Sequence, residues 1–310
     1  MSTGTPMDET RTGALHPEFG RLAAARKIMG APATTGSPVT DRLNAARWIA
    51  CFGGGPDPDD GASAEQGEDS VVIRPAVEDP RAPWVIYLHG GGMVYYSTEV
   101  FQPFLRTLAT RLRAPVEAFD YLKVPEHTVE ESVERLAAQL TARCRTLTAP
   151  RIVLAGDSVG GLLALYLALR ALPGVFSRLV LLYPVLDLET ERDSYRAYGE
   201  GHFLDRDSMR LFKSALTPFF RSRHFDPLAL PERDLALLPP CSVVTAGCDV
   251  LRDEGLAFAG QRAADRPDGL RHLHFPDLPH DFCLYAGKVA SARDAVAEIA
   301  RTAFPPEGAR

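Results

Sequence analysis

A serine set among glycines, in the run Gly-Asp-Ser-Val-Gly-Gly at residues 156–161, is the first group that could do chemistry. The apolar run 152–155 before it is short enough for a buried strand, and the Leu- and Ala-rich run 162–169 after it favours a helix. A serine at a tight strand-to-helix turn is typical of a nucleophile elbow, which exposes Oγ at the helix N-terminus. Ser158 is therefore the candidate nucleophile, although the pentapeptide alone fits an ordinary glycine-rich turn equally well.

Glycines also follow the strand predicted at 84–88, in the run His89-Gly90-Gly91-Gly92. Because glycine has no side chain, such a loop can present backbone N–H groups into a cleft and bind the oxygen of a tetrahedral intermediate. The amide of Val159, next to the candidate nucleophile, would join them. The alternative is that His89 simply anchors its loop.

A serine hydroxyl needs a base to take its proton, and the base needs a carboxylate to orient it. Asp249 follows the strand predicted at 241–246, and His280 follows the strand predicted at 270–275. Taken singly, Asp249 fits a turn residue and His280 a polar surface residue. Three motifs in the order Ser, Asp, His, each after a predicted strand, instead favour a catalytic triad.

The elements that must position these residues alternate between strand and helix from residue 70 onwards. This alternation predicts an α/β fold with a mostly parallel central sheet and helices on both faces. The predicted strands are 71–73, 84–88, 116–119, 152–155, 179–183, 241–246 and 270–275, and the predicted helices between and after them are 101–113, 129–144, 162–169, 254–264 and 286–303.

A single catalytic domain, residues 70–310, is expected because the candidate site residues extend from position 89 to position 280. Residues 186–225 are charged and aromatic and have no strand pattern, so we expect a helical cap inserted over the sheet. Residues 1–69 are expected to be an N-terminal segment that is partly disordered and contributes helices to the cap.

Within this N-terminal segment, the first 18 or so residues are rich in Ser, Thr, Gly and Pro, which favours disorder. Helices are predicted at 17–29 and at 41–50. The run 53–69 is expected to be a loop. A phosphate-binding loop is the sharper alternative for this run, but no Lys-Ser/Thr follows the glycines and acidic residues dominate.

Composition argues against several classes of partner. Among the 310 residues, 45% are hydrophobic and 24% charged, and the net charge is −6 with no basic block, so neither nucleic acid nor a membrane is an expected partner. No run of 18 apolar residues and no signal-peptide layout is present, and the five cysteines show no C-x-x-C spacing. These features predict a cytoplasmic protein with free thiols. No metal or cofactor is expected.

The two glycine runs, taken together, resemble those of the bacterial hormone-sensitive-lipase family of α/β-hydrolase esterases. Further matching runs lie between and after them, and the resemblance covers roughly residues 70–303. The matching runs are His89–Gly92, Asp120–Tyr121, Pro125–His127, Gly156–Gly161, Thr245–Gly255 and Leu278–Phe282.

The resemblance implies an α/β-hydrolase fold and a serine acyl hydrolase of the carboxylesterase type that needs no cofactor. It carries the role of nucleophile onto Ser158, of base onto His280 and of acid onto Asp249, with Asp253 supporting its loop or beginning the next helix. The oxyanion donors would be Gly91 and Gly92, together with Val159. Members of the family often pair through their last strand and helix, so a homodimer is a further expectation.

Several residues depart from the family pattern. Val159 stands where alanine is usual, and Asp281 follows the base where glycine is common. The usual Asp-Tyr-Arg-Leu-Ala-Pro-Glu run appears at 120–126 without its arginine, with Lys123 in its middle. After the glycines come Tyr95 and Tyr96, the candidate substrate contacts. These departures favour an unusual substrate, a short-acyl or small polar ester.

Two other functions use the same residues. An acyltransferase, or an amide or thioester hydrolase of one biosynthetic pathway, would keep the triad and change the acceptor or the bond. A non-catalytic small-molecule receptor would keep the fold, but it would have no need to retain Ser158, Asp249 and His280 together.

Overall fold

The computed structural model describes residues 13–305, apart from residues 31, 33, 54–60 and 266–268. Its centre is an eight-stranded sheet in the order β1-β2-β4-β3-β5-β6-β7-β8. Strand β2 pairs antiparallel with β1 and β4, and all other neighbours are parallel. The strands are β1 (Ser63–Gln66), β2 (Ser70–Arg74), β3 (Trp84–Leu88), β4 (Val116–Phe119), β5 (Ile152–Asp157), β6 (Arg178–Leu182), β7 (Cys241–Cys248) and β8 (Leu270–Pro279).

Helices cover both faces of the sheet, because the strands β3 to β7 are apolar and buried on both sides. One core cluster joins the sheet to α4, α5 and α9, and the other joins it to α3 and α10. The helices are α1 (Pro17–Met29), α2 (Pro38–Gly53), α3 (Thr98–Leu112), α4 (Val129–Thr146), α5 (Val159–Arg170), α6 (Asp193–Tyr198), α7 (Arg206–Ser222), α8 (Glu232–Leu237), α9 (Arg252–Asp265) and α10 (Ala290–Ala303).

The segment between β6 and β7, residues 183–240, is helical and is here called the insertion. Its longest helix, α7, is amphipathic and buries Met209, Phe212, Leu216 and Phe220 at a spacing of three to four residues. These side chains belong to the same core cluster as α5. The insertion is therefore packed on the body of the protein along one apolar stripe.

The N-terminal helices lie against the same body. Phe19 of α1 is fully buried, with its ring edge-on to Phe203 of the insertion and to Tyr285. On α2, the guanidinium of Arg42 donates to the backbone oxygens of Val94 and Val124. Helix α2 thus braces the loop that follows β3.

The structure confirms the expected alternation, with differences in one strand and in the bounds of several elements. Strand β1 lies within residues 53–69, where we expected only a loop. It is polar and exposed along its length, so it lacks the apolar pattern that reveals a strand. The closing helix begins at Ala290, after a 3₁₀ turn at Phe282–Tyr285, and α2 begins at Pro38. Of the stretch expected to be disordered, residues 1–12 lie outside the described residues.

Among the described helices, none combines the length and the apolar character needed to span a membrane.

Candidate active site

Ser158 occupies a tight turn between β5 and α5. Its backbone has φ 53° and ψ −121°, a conformation that costs a non-glycine residue free energy and persists only where the surroundings enforce it. Two backbone bonds enforce it: the amide of Ser158 donates to the Leu182 oxygen at 2.9 Å, and its own oxygen accepts from the Val185 amide at 3.0 Å. This is the elbow geometry that the sequence predicts.

The glycines around the elbow permit close approach of strand and helix. A Cβ atom on Gly160 would fall 2.0 Å from the backbone oxygen of Leu88, and one on Gly156 would fall 2.4 Å from the oxygen of Gly160. No side chain fits at these distances. Only glycine therefore allows α5 to start directly beside β3 and β5.

Ser158, His280 and Asp249 lie in one line of hydrogen-bonding contacts. The Nε2 atom of His280 is 3.1 Å from Oγ of Ser158, and its Nδ1 atom is 2.7 Å from Oδ2 of Asp249. All three residues are buried. Each stands just beyond the carboxyl end of a parallel strand, β5, β7 or β8, which is why residues so distant in the chain meet here.

The neighbouring carboxylate on α9 has another partner. Asp253 accepts from the backbone amide of Ser194 at 2.8 Å and from Arg252 at 2.7 Å, and so ties α9 to α6. Asp249 also accepts from the amide of Leu251 at 2.9 Å, which fixes the carboxylate that faces His280. Of these two carboxylates, Asp249 is the one in contact with His280.

The ring of His280 is held between charged and aromatic groups. Tyr183, the first residue of the insertion, has φ 33° and packs edge-on against the imidazole, with ring centroids 4.9 Å apart. Burial alone would lower the pKa of His280, but the carboxylates of Asp249 and Asp281 outweigh burial and raise this pKa to about 9.

Asp281 turns back towards the base. It adopts the left-handed conformation with φ 59°, and its Oδ1 atom lies 3.4 Å from Nε2 of His280, the nitrogen that also faces Ser158. Burial raises the pKa of the Asp281 carboxyl, and the neighbouring imidazole opposes that rise. The carboxylate is thus part of the site.

The loop His89–Gly92, here called the glycine loop, approaches Ser158 from β3. Gly91 has φ 106° and Gly92 has φ 65°, conformations that favour glycine. Within the described part of the chain, no group accepts a hydrogen bond from the backbone N–H of Gly91, Gly92 or Val159. Three donors are consequently free for a ligand oxygen.

Asp157, which the sequence analysis did not single out, connects the elbow to the glycine loop. Its Oδ1 atom accepts from the Tyr87 hydroxyl at 2.6 Å and from the Gly90 amide at 2.8 Å. Burial, with Asp281 nearby, raises the pKa of Asp157 to about 8. Its position directly before the nucleophile was the only available signal.

His89 supports its own loop. Its ring is fully buried, stacks on Tyr121 with centroids 4.3 Å apart, and places Nδ1 2.6 Å from the oxygen of Gly90. The Tyr121 hydroxyl donates to the oxygen of His89 at 2.8 Å. These contacts fit the anchoring role that was the alternative for His89.

Tyr95 and Tyr96 follow the glycine loop and help enclose it. The backbone oxygen of Tyr95 lies against Gly91, and its ring meets that of Phe212 edge-on at 6.0 Å. Tyr96 packs on Phe101. Phe212 comes from α7, so the wall beside the glycine loop is aromatic and is shared with the insertion.

A cation from α2 lies beside the run that has lost the family's arginine. Arg42 binds both oxygens of the Glu126 carboxylate, at 2.7 and 2.6 Å, and this pairing lowers the pKa of Glu126 to about 2. Lys123 instead lies 3.7 Å from Asp120. Arg42 is far from this run in sequence, so no local pattern could have indicated it.

Comparison with known proteins shows the family of the chain. Residues 85–284 match the α/β hydrolase fold family, so the chain belongs to that family. The chain is 32% identical over 263 residues to an esterase of Gibberella moniliformis, covering 77% of this chain and 81% of that protein. It is 32% identical over 238 residues to carboxylesterase NlhH of Mycobacterium tuberculosis, covering 72% and 74%. The expected resemblance to the hormone-sensitive-lipase family is confirmed.

Solved structures show the same architecture. An esterase from Pseudomonas putida superimposes with a TM-score of 0.82 at 24% identity, covering 98% of this chain and 100% of its own. An esterase of the archaeon Pyrobaculum calidifontis superimposes with a TM-score of 0.76 at 26% identity, covering 92% and 97%. The α/β-hydrolase fold predicted from the sequence is thereby confirmed.

Proposed function

We propose that the protein cleaves small carboxylic esters through an acyl-enzyme on Ser158. The enzyme is a serine carboxylesterase of the α/β-hydrolase fold, as its esterase relatives indicate. His280 takes the proton of the Ser158 hydroxyl as Oγ attacks the carbonyl carbon, and Asp249 holds the imidazole and stabilises its charge. The observation that carries the assignment is the contact of His280 with Ser158 at 3.1 Å and with Asp249 at 2.7 Å.

The oxygen of the tetrahedral intermediate is bound, in this proposal, by the backbone N–H groups of Gly91, Gly92 and Val159. Support comes from the free state of these amides and from the position of Val159 at the first turn of α5, where the helix dipole favours negative charge. Asp157 holds the glycine loop in register with the elbow through the Gly90 amide.

The catalytic domain in this proposal is residues 70–310, and α1, α2, α6 and α7 form a cap over its site. Contacts of Phe19 with Phe203 and Tyr285, and of Phe212 with Tyr95, support the cap assignment.

The substrate is a short-acyl or small polar ester that contacts Tyr95 and Tyr96. The aromatic wall that these residues form with Phe212 supports this, because it leaves little room beside the glycine loop. Among the relatives, one from Pseudomonas putida is named ethyl acetate hydrolase, and it is 29% identical over 228 residues.

A homodimer paired through β8 and α10 is also proposed, since β8 is at the edge of the described sheet. Size-exclusion chromatography coupled to light scattering tests it. The cytoplasmic location stays a prediction from the sequence.

The decisive experiment compares Ser158→Ala with Ser177→Ala, a serine on the exposed turn before β6, on p-nitrophenyl acetate, butyrate and octanoate. We expect the first change to lower kcat by roughly 10⁴–10⁶ and the second to leave it unaltered. A phosphonate inhibitor should label the Ser158 peptide and no other. A Ser158→Ala variant that keeps a tenth of the wild-type turnover would refute the mechanism.

A further inference from the structure

Two oxygen-bearing groups lie near the Nε2 atom of His280. One is the Ser158 hydroxyl, at 3.1 Å, and the other is the Asp281 carboxylate, at 3.4 Å. In the proposed mechanism, Nε2 gives a proton to the leaving alcohol and then receives one from the acceptor that attacks the acyl-enzyme. A carboxylate beside this nitrogen therefore also lies beside the molecule that attacks the acyl-enzyme.

The carboxylate of Asp281 has no hydrogen-bond or ion-pair partner other than His280 among the described residues. Its side chain is only 20% exposed, and it makes no side-chain cap to the 3₁₀ turn that it begins. The cation whose charge reaches it, Arg26 of α1, donates instead to the Tyr285 hydroxyl at 2.9 Å and lies over the ring of Phe203 at 4.6 Å.

We propose that Asp281 binds the acceptor of the acyl group, by taking a hydrogen bond from a second hydrogen of the attacking atom. The proposal rests on the acyl-enzyme mechanism above. Water and primary amines carry two hydrogens on that atom, one for Nε2 of His280 and one for Asp281. An alcohol carries one, so it leaves the carboxylate without a partner, and an unpaired enclosed carboxylate is costly. Asp281 would thus favour water and amines over alcohols.

The protons balance without any change at Asp281. Water attacks the acyl carbon while one of its protons moves to Nε2, the bond from the acyl carbon to Oγ of Ser158 breaks, and the imidazolium returns that proton to Oγ. The acid leaves and loses its own proton to solvent. The Asp281 carboxylate takes up no proton in this step and acts only as an acceptor of a hydrogen bond.

The test measures how much of the acyl group is transferred from Ser158 to each of several acceptors. With p-nitrophenyl butyrate as donor, the products from water, methanol and hydroxylamine are quantified for the wild type, Asp281→Gly and Asp281→Asn. Glycine suits the backbone at φ 59°, so the fold should tolerate the first change. Asp277→Asn, near the end of β8, is the matched control.

We expect Asp281→Gly to shift the product ratio towards methanol by about tenfold against water, since it removes a hydrogen bond to a charged group. Asp281→Asn keeps a neutral acceptor and should shift the ratio in the same direction by less. The share of product formed from hydroxylamine should fall together with the share formed from water. Asp277→Asn should leave the ratios unchanged. Unchanged ratios in the Asp281 variants would overturn the proposal, as would a loss for water that hydroxylamine does not share. Failure of the esterase mechanism looks different, because no acceptor would then depend on Ser158.

The groups that face Asp281 and His280 also set the charge of this site, so the ratios are compared at one pH on the alkaline plateau of each variant. A merely electrostatic effect of Asp281 on His280 would alter all three acceptors equally and would count against the proposal. The titratable and charged groups whose fields reach this pair are Arg26, Tyr87, Tyr96, Asp157, Tyr183, Asp249, Cys283 and Tyr285.

Discussion

The ring of Phe212 lies directly against Gly92, since a Cβ atom on this glycine would fall 2.3 Å from Cγ of the phenylalanine. One residue belongs to α7 of the insertion and the other to the glycine loop. The wall of the site and the proposed oxyanion donors are therefore in contact, and a change in either should be felt by the other.

Gly92→Ala should lower kcat/KM by about 10² or more, the usual cost of losing one oxyanion donor. The new methyl group meets the Phe212 ring, and φ 65° strains any residue but glycine, so the amide should turn away from the site. Gly201→Ala is the matched control, because Gly201 has φ 75° with open space around it. Equal losses in the two variants would mean that added backbone strain lowers the activity, and that the loss of an oxyanion donor does not.

Activity should rise with pH up to about 9. His280 must be neutral to act as a base, and Asp249 and Asp281 raise its pKa to about 9 against the opposing effect of burial. At lower pH, kcat/KM should fall about tenfold per unit as the imidazole becomes protonated. Asp281→Asn removes one of the two carboxylates and should move the midpoint to lower pH. A pH–rate profile with the same midpoint for both proteins would contradict this account.

Stability should respond to pH through Glu254, a fully buried residue of α9. Its Oε1 atom accepts from the amides of Leu186 and Asp187, at 2.8 and 3.3 Å. Burial raises its pKa to about 8, although Lys213 opposes the shift. Because the folded chain keeps this proton and the unfolded chain releases it near pH 4.5, the free energy of unfolding falls as pH rises from 4.5 to 8.

Glu254→Gln keeps an acceptor for both amides and removes the titration. We therefore expect its Tm, relative to that of the wild type, to increase between pH 5.5 and pH 8.5. The exposed Glu134→Gln on α4 should show no such trend. Calorimetry or fluorescence melting at the two pH values measures it, and a constant difference would mean that Glu254 does not titrate in the folded chain.

The sequence was sufficient for seven strands of the described sheet, and it indicated the proposed triad, because the same feature underlies both. Ser158, Asp249 and His280 each follow a predicted strand, and parallel strands bring such positions to one edge. Contacts made by the helices were not predictable in this way. Phe212 reaches Gly92, and Arg42 reaches Glu126, through packing between elements far apart in the chain. Nothing in the local pattern encodes such pairs.

Turn conformation was the other source of what the sequence did not reveal. Tyr183 reaches the ring of His280 through its positive φ, as Asp281 reaches Nε2. An apolar pattern indicates which face a residue occupies in a strand or helix. It says nothing about single residues whose backbone has a positive φ. The sequence marked Asp281 only as a departure from the family pattern, and its contact with the base depends on a φ of 59° that no pattern indicates.

Short acyl groups should be preferred by the wild type. Phe212 and Tyr95 close the wall beside the glycine loop, and ligand sites of limited size exclude long chains. Rates on p-nitrophenyl esters should fall steeply beyond about six acyl carbons. If octanoate or longer esters are the best substrates, then the aromatic wall does not limit the acyl group.

Phe212→Ala should extend this preference to longer chains. Removing the ring opens the space beside Gly92 while leaving the glycine itself in place, so kcat/KM should rise for octanoate relative to acetate by several-fold. Truncating a buried phenylalanine also costs about 3 kcal/mol of stability or more, so rates must be compared below the Tm of the variant.

Phe219→Ala is the matched control: Phe219 is a buried phenylalanine of the same helix, but its ring packs on Tyr166, away from the glycine loop. If both variants shift the chain-length profile alike, the shift reports loosening of α7 and not the loss of contact with Gly92. A shift confined to Phe212→Ala would show that the ring of Phe212 limits the length of the acyl chain.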